Sequence, residues 1–190
     1  MRLLTATAIV CLGAAAACGD SPTGPSGSTG TMMLMLKDTP FADARAVLVT
    51  FSEVTAHRST EADFTRVPFS GGATSRTCDL KKLETAQDVL GTGPLAAGQY
   101  TQIRLVVASA ALYFDNAAAG AACAASIAPP AGRSAPLEIP SGEVKLSRQF
   151  EVPAGGATTM LLDFDGDRSI RETGNNRYLM TPVITVVSVQ

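Results

Sequence analysis

The clearest pattern of hydrophobic and polar positions along the chain is a regular alternation between Gly98 and Ser109. Alternation with a period of two is typical of a β-strand with one buried and one solvent-exposed face. The apolar face carries Thr101, Ile103, Leu105 and Val107, and the polar face carries Tyr100, Gln102 and Arg104. We therefore predict a central strand here, against which the other strands pair or pack.

Seven further segments have the composition and length of strands, and most of them alternate in the same way. In the second strand of the chain, Val47, Val49 and Phe51 are followed by Val54 and Ala56, a change of face that predicts a β-bulge. The predicted strands cover residues 31–37, 46–58, 64–69, 77–83, 98–109, 144–152, 158–164 and 178–189.

The segments between these strands carry turn and loop signals. Glycines and a proline in 90–94 predict a turn into the central strand. The Ala-rich segment 117–128 predicts a loop with at most one helical turn, because Gly120 lies within it and Pro129 follows it.

Two of the predicted strands depart from simple alternation. Arg148 is the one charged residue on the apolar face of strand 144–152. Strand 178–189 is apolar on both faces in its second half, which predicts that both faces are covered. Pro182 within that strand predicts a bulge or a position at a sheet edge.

Composition places these strands in one domain. The chain has 190 residues, 46% of them hydrophobic and 17% charged, with 17 Gly, 11 Pro and no Trp. This length fills one hydrophobic core, and the richness in turn residues favours an all-β domain. We predict a single antiparallel β-sandwich of about 7–8 strands over residues 31–190, immunoglobulin-like or prealbumin-like. The net charge of −2, without a basic cluster, argues against nucleic acid as a partner.

The first thirty residues predict export and membrane attachment. Residues 1–17 have the basic start, apolar stretch and small-residue end of a signal peptide. The sequence Ala15-Ala16-Ala17-Cys18 resembles the lipobox of bacterial lipoproteins, which implies that Cys18 is acylated, as with palmitate, and becomes the mature N-terminus. Residues 18–30 then form a flexible Gly/Ser/Pro-rich tether. We expect a membrane-anchored envelope lipoprotein facing the periplasm or the exterior. The alternative is an ordinary signal peptide cleaved nearby, with Cys18 incidental.

Five segments of the mature chain are together similar to a known family. They are Leu36-Lys-Asp-Thr-Pro40, Cys78-Asp-Leu-Lys-Lys-Leu83, the segment 95–105, Leu162-Asp-Phe-Asp165 with Ser169-Ile170, and Tyr178-Leu-Met-Thr-Pro-Val-Ile184. In order and spacing they resemble the bacterial domain of unknown function 4382, found mainly in predicted secreted lipoproteins. The resemblance covers residues 31–187 and implies an envelope-exposed β-domain, but it supplies no activity. The Ala-rich loop with Cys123 departs from the family pattern.

The cysteine count predicts one disulfide. Removal of the signal peptide takes away Cys11 and acylation uses Cys18, which leaves Cys78 and Cys123 in an oxidising compartment. Two such cysteines usually pair, and two free thiols are the alternative. Neither lies in a C-x-x-C motif, so the sequence does not indicate a redox enzyme.

Three carboxylates, Asp163, Asp165 and Asp167, are spaced like positions 1, 3 and 5 of an EF-hand calcium loop. Arg168 stands where that loop needs Gly, and Gly174 stands where it needs a bidentate acid. Acidic residues with a Gly are also ordinary at the turn after a strand. We therefore expect no cofactor, with calcium at these three residues as the alternative.

The sequence contains no motif for nucleophilic catalysis. Its single histidine, His57, lies at a predicted strand end, and there is no G-x-S-x-G nucleophile elbow. Tyr100, Tyr113 and Tyr178 are too few to indicate a sugar-binding face. We predict a non-enzymatic, lipid-anchored envelope protein whose β-sandwich binds or scaffolds an unknown extracytoplasmic ligand. The alternative is a hydrolase of envelope or extracellular glycans or peptides.

Overall fold

The computed structural model describes residues 27–39 and 41–190. The predicted signal peptide, Cys18 and most of the predicted tether lie outside the described residues. Within the described part, thirteen strands form two sheets, which confirms the predicted all-β sandwich. The strands are β1 (Thr29–Thr39), β2 (Ala46–Arg58), β3 (Phe64–Arg66), β4 (Arg76–Asp79), β5 (Asp88–Ala96), β6 (Gly98–Tyr113), β7 (Cys123–Ala124), β8 (Ser134–Glu138), β9 (Glu143–Val152), β10 (Ala157–Asp165), β11 (Ile170–Gly174), β12 (Arg177–Met180) and β13 (Ile184–Val189). A single helical turn, α1 (Gly166–Ser169), and two 3-10 turns, Ser70–Gly72 and Leu80–Glu84, complete the described elements.

The two sheets are mixed rather than purely antiparallel. The smaller sheet has the order β13-β10-β1-β5, and the larger has the order β11-β12-β8-β6-β2-β4-β7, with β3 also on β2 and β9 also on β6. Most pairs are antiparallel, but β1 pairs with β10 and β8 pairs with β12 in parallel. Parallel neighbours need long connections, and β1 and β10 are indeed far apart along the chain.

Strand β6, the predicted central strand, is the longest and pairs with β2, β8 and β9. Ile103 and Leu105 are fully buried, as predicted. Tyr100, predicted on the polar face, is also fully buried, because the register against β9 shifts between Tyr100 and Gln102. The extra β9 residue at this bulge leaves Arg148 exposed, although simple alternation predicts it on the apolar face.

The predicted turn at 90–94 is wrong, because these residues lie within β5 and pair with β1. Glycine is required in this segment because Pro68 approaches the backbone closely, and not because the chain turns there. A Cβ on Gly91 would come within 2.9 Å of the Pro68 carbonyl oxygen, and one on Gly93 within 2.5 Å of the Pro68 ring. Glycine at both positions lets the segment before the first 3-10 turn pack directly on β5.

The predicted last strand is two strands in different sheets. Strand β12 joins the larger sheet and β13 the smaller one, with Pro182 between them. Strand β13 forms an edge, and Val187 is 49% exposed, so the prediction that both faces are covered is wrong. Three short strands, β7 in the Ala-rich loop, β8 after it and β11 before β12, were not predicted from the sequence.

The space between the sheets is filled by one main cluster of buried hydrophobic residues. The apolar faces predicted for β1 and β10 point into it, and the β2 residues on both sides of the predicted bulge are buried as well. None of the described helical turns is long or apolar enough to cross a bilayer.

Candidate functional site

The structure contains the predicted disulfide between Cys78 and Cys123, which are facing residues of β4 and β7. Strand β7 has only two residues, so the covalent bond fastens the Ala-rich loop to the larger sheet. The Asp88 carboxylate reinforces this attachment, because it accepts hydrogen bonds from the Cys123 backbone N–H (2.9 Å) and from Arg76 (3.1 Å). The positions of Cys78 and Cys123 therefore indicate that their disulfide has a structural role.

Two of the three candidate calcium ligands are engaged by other groups of the fold, and the third is exposed. Asp163 forms a salt bridge of 2.7 Å with Lys37, and Asp165 caps α1 by accepting from the Arg168 backbone N–H at 3.0 Å. Asp167 is exposed in the first turn of α1. Among the described residues, no group of three or more acidic, histidine or cysteine side chains is arranged to hold a metal ion.

Millimolar calcium is therefore expected to leave the melting temperature within about 1 °C. A ligand at a hundredfold excess over its Kd would add about 2.7 kcal/mol, or roughly 2–4 °C for a domain of this size. Thermal unfolding with calcium, magnesium and chelator tests this. A rise specific to calcium and lost in Asp165→Asn would show that the three carboxylates do form a site.

His57 and Tyr100 are both engaged by neighbouring residues of the fold. The His57 Nδ1 lies 2.9 Å from the Thr101 hydroxyl, and the ring packs on Phe64. The Arg104 guanidinium lies 3.9 Å from the centroid of the Phe64 ring. Tyr100 is buried against Phe150 and donates its hydroxyl to the Ala96 carbonyl, so it is not on a surface.

Four of the five segments that carry the family resemblance meet at one end of the sandwich. The end of β1 lies beside the end of β10, with Lys37 facing Asp163. A Cβ on Gly166 would come within 3.1 Å of the Thr39 carbonyl oxygen, so α1 begins directly against β1. The 3-10 turn after β4 reaches the same place through Lys81, which donates to the Phe41 carbonyl at 3.1 Å. The segment after β12 joins it through a 2.8 Å bond from the Val183 N–H to the Ser169 hydroxyl.

Asp38 occupies an unusual position at this end of the fold. It is only 6% exposed, and neither carboxyl oxygen makes a hydrogen bond of ordinary geometry with a described residue. Burial raises the pKa of Asp38 from 3.8 to about 8, and the Asp163 and Asp165 charges add to the rise. The Gly166 backbone and Lys81 lower this pKa, but burial outweighs them. Asp38 is therefore largely protonated at neutral pH.

Beside Asp38 a surface cleft opens, which we call the basic cleft. Leu80 and Leu83 are buried, and the 3-10 turn between them therefore directs Lys81 and Lys82 outward. Asp79 begins this turn, and its Oδ1 accepts from the backbone N–H groups of Lys81 (3.2 Å) and Val47 (3.0 Å). The basic cleft has a volume of about 330 Å³ and is lined by Ala42, Asp43, Ala44, Arg45, Asp79, Lys81, Lys82, Phe114 and Ala117.

The other wall of the basic cleft is the loop between β1 and β2. Phe41 and Ala44 are buried and anchor this loop, which leaves Asp43 and Arg45 exposed at the rim. Burial raises the pKa of Asp79 at the base, although the adjacent N–H groups and lysines oppose the rise. Because both walls are held by buried residues and hydrogen bonds, the cleft is preformed.

The comparison with protein families identifies the family of this chain. The model described as Domain of unknown function (DUF4382) matches residues 29–182. The chain belongs to this family. No curated protein and no solved structure matches the chain. The DUF4382 match confirms the predicted resemblance and covers the basic cleft, but its description names no ligand and no reaction.

Sequence reasoning missed both Asp38 and the basic cleft in this DUF4382 domain. One local signal for Asp38 was available: the inward series Met32, Leu34 and Leu36 continues to position 38. The spacing of Leu80 and Leu83 is compatible with a 3-10 turn as well as with the predicted strand. The meeting of these segments with the β1–β2 loop had no local signal.

Proposed function

We propose that this DUF4382 protein is a non-catalytic binding or scaffolding protein of the cell envelope, attached to a membrane through a lipid on Cys18. The observation that carries the proposal is the position of the basic cleft relative to the start of the domain. Strand β1 begins at Thr29, so the last two residues of the predicted tether, Thr29 and Gly30, belong to the strand, and it ends at Thr39, next to the cleft. At about 3.3 Å per residue the two ends are roughly 30 Å apart.

This placement suits a receptor-like domain. The tether enters at one end of β1, and with about ten residues after Cys18 it has a root-mean-square reach of roughly 17 Å. The basic cleft then lies near the end of β1 that is farther from the point of attachment, where we expect extracytoplasmic molecules to have access to it. His57 is not among the residues that line the cleft, so the chain's only histidine is not placed to act as a base there.

Cys18→Ser is expected to release the protein from membranes into a soluble exported fraction. The multiply acylated cysteine of a lipoprotein anchors stably, and without it the tether has no membrane affinity. Fractionation of cells, with incorporation of a labelled fatty acid, measures this. Cys11→Ser is the matched control, because Cys11 lies within the predicted signal peptide and should leave attachment unchanged.

Two results would contradict the proposal. If Cys18→Ser partitions like wild type and neither protein incorporates fatty acid, the lipid anchor is wrong. If the purified protein turns over glycoside, ester or peptide substrates, and one acidic substitution abolishes that turnover, the protein is the alternative hydrolase.

A further inference from the structure

The basic cleft carries more positive than negative groups on its accessible surface. Arg45 is exposed, and its side chain forms no salt bridge or hydrogen bond with another described residue. Lys81 and Lys82 each donate one hydrogen bond, to the carbonyls of Phe41 and Gly120. An ammonium group has three donors, so each lysine retains two for a ligand.

The acidic groups of the cleft leave this excess in place. Asp79 is fully buried, and its Oδ1 is occupied by two backbone N–H groups. Asp43 is exposed at the rim, as Arg45 is, and supplies one accessible negative charge. The accessible part of the cleft therefore presents one guanidinium and two ammonium groups against one carboxylate.

The remaining lining is apolar and partly aromatic. Phe114 is half-buried; Tyr178 packs on it at a centroid distance of 5.6 Å, and the Arg133 guanidinium lies 5.5 Å from its ring centroid. Three alanines, Ala42, Ala44 and Ala117, complete the lining and leave space next to Phe114. The volume of about 330 Å³ lies at the lower end of the range for small-molecule sites.

We infer that the basic cleft binds a small organic anion, whose carboxylate or phosphate contacts Arg45, Lys81 and Lys82 while its flat or apolar part covers Phe114. The guanidinium group of an arginine can form two parallel hydrogen bonds with a carboxylate or a phosphate. The ammonium groups of the lysines add positive charge without requiring a particular orientation of the anion. This inference rests on the proposed binding function and names the ligand class for it. Carboxylates and phosphates are both available outside the cytoplasm, so the test separates the two.

Titration of the purified full chain with glucuronic acid, glucose 6-phosphate and glucose, followed by calorimetry or NMR shifts, provides the test. The three probes share a ring and differ in charge. We expect saturable binding of at least one anion, weaker binding as salt rises, and no saturable binding of glucose. The anion that binds more tightly identifies the chemistry of the natural ligand.

Arg45→Glu is expected to weaken anion binding about tenfold or more, because it removes a charged hydrogen-bonding group and adds repulsion. Arg171→Glu is the matched control, because Arg171 is exposed on β11 and its substitution changes the net charge by the same amount. This substitution should alter the Kd less than about twofold. Lys82→Gln provides a second variant, because the amide can still donate to the Gly120 carbonyl while the charge is lost.

Three results would overturn the inference: no saturable binding of either anion, binding of glucose as tight as that of the anions, or equal weakening by Arg45→Glu and Arg171→Glu. If Arg45→Glu does not fold, Lys82→Gln decides, and an unchanged Kd in that variant counts against the site. Failure of anion binding in a protein that still fractionates with membranes and shows no turnover would reject this ligand class alone.

Discussion

Asp38→Asn is expected to raise the free energy of unfolding by about 3–5 kcal/mol at pH 8.5 and to change it by less than about 1 kcal/mol at pH 4. The folded-state pKa of Asp38 is about 8, whereas its ordinary value is 3.8. The folded state thus binds this proton more tightly than the unfolded state. Stability from the protonated carboxyl is fully present below pH 3.8 and is lost as the pH rises towards 8.

The size of the effect follows from the width of that interval. Each pH unit between the two pKa values costs about 1.4 kcal/mol, and relaxation that admits water to the carboxylate reduces the total. Asn has the size and neutrality of the protonated acid but cannot ionise, so it removes the penalty at high pH. Urea unfolding of wild type and variant at the two pH values measures the difference.

Asp43→Asn is the matched control for this comparison. Asp43 lies five residues further along the chain but is exposed, so its substitution should have a small effect at either pH. A loss of stability in Asp38→Asn that is equal at both pH values would contradict the prediction. It would show that the native state uses an ionised Asp38 as a hydrogen-bond acceptor or ligand.

Loss of the disulfide between Cys78 and Cys123 is expected to lower the free energy of unfolding by about 4 kcal/mol. The bond closes a loop with a sequence separation of 45, and opening that loop increases the conformational freedom of the unfolded chain. The double variant Cys78→Ala/Cys123→Ala avoids an unpaired thiol. Its urea unfolding midpoint, compared with that of oxidised wild type, measures the effect.

The location of the effect is also testable. Amide hydrogen exchange in the Ala-rich loop should accelerate in the double variant, because β7 is short and only hydrogen bonds, such as the one from the backbone N–H of residue 123 to Asp88, would then hold it. Reductant is the control: it should destabilise wild type and leave the double variant unchanged. An unfolding midpoint of wild type that does not respond to reductant would show that the two cysteines are not paired in the purified protein.

The strands of this protein were largely predictable from local alternation. A strand that buries one face must place apolar residues at every second position, and β1, β9 and β10 follow this rule over most of their length, whereas β6 follows it around Ile103 and Leu105. The change of face within β2 likewise indicated its bulge before any pairing was known. The cysteine pairing was predicted from a count and from the oxidising compartment that the predicted signal peptide implies.

Strand partners and sheet membership were decided by tertiary structure. The bulge that buries Tyr100 and exposes Arg148 depends on the register between β6 and β9. The residue pattern of either strand by itself does not predict that register. Gly91 and Gly93 have the composition of a turn, and only the approach of Pro68 explains them as residues of a strand. Pro182 marks a transfer between sheets, which a pattern along one chain does not distinguish from a bulge.

The candidate site belongs entirely to this second category. The sequence determined that Asp38 follows an inward-facing apolar series and that Leu80 and Leu83 flank two lysines. Whether Asp38 is buried without a partner, and whether those lysines face Arg45 across a cleft, depends on residues that are distant along the chain. They meet because β1 pairs in parallel with β10 and because β4 pairs with the start of β2, and those long-range pairings set both the buried acid and the basic cleft.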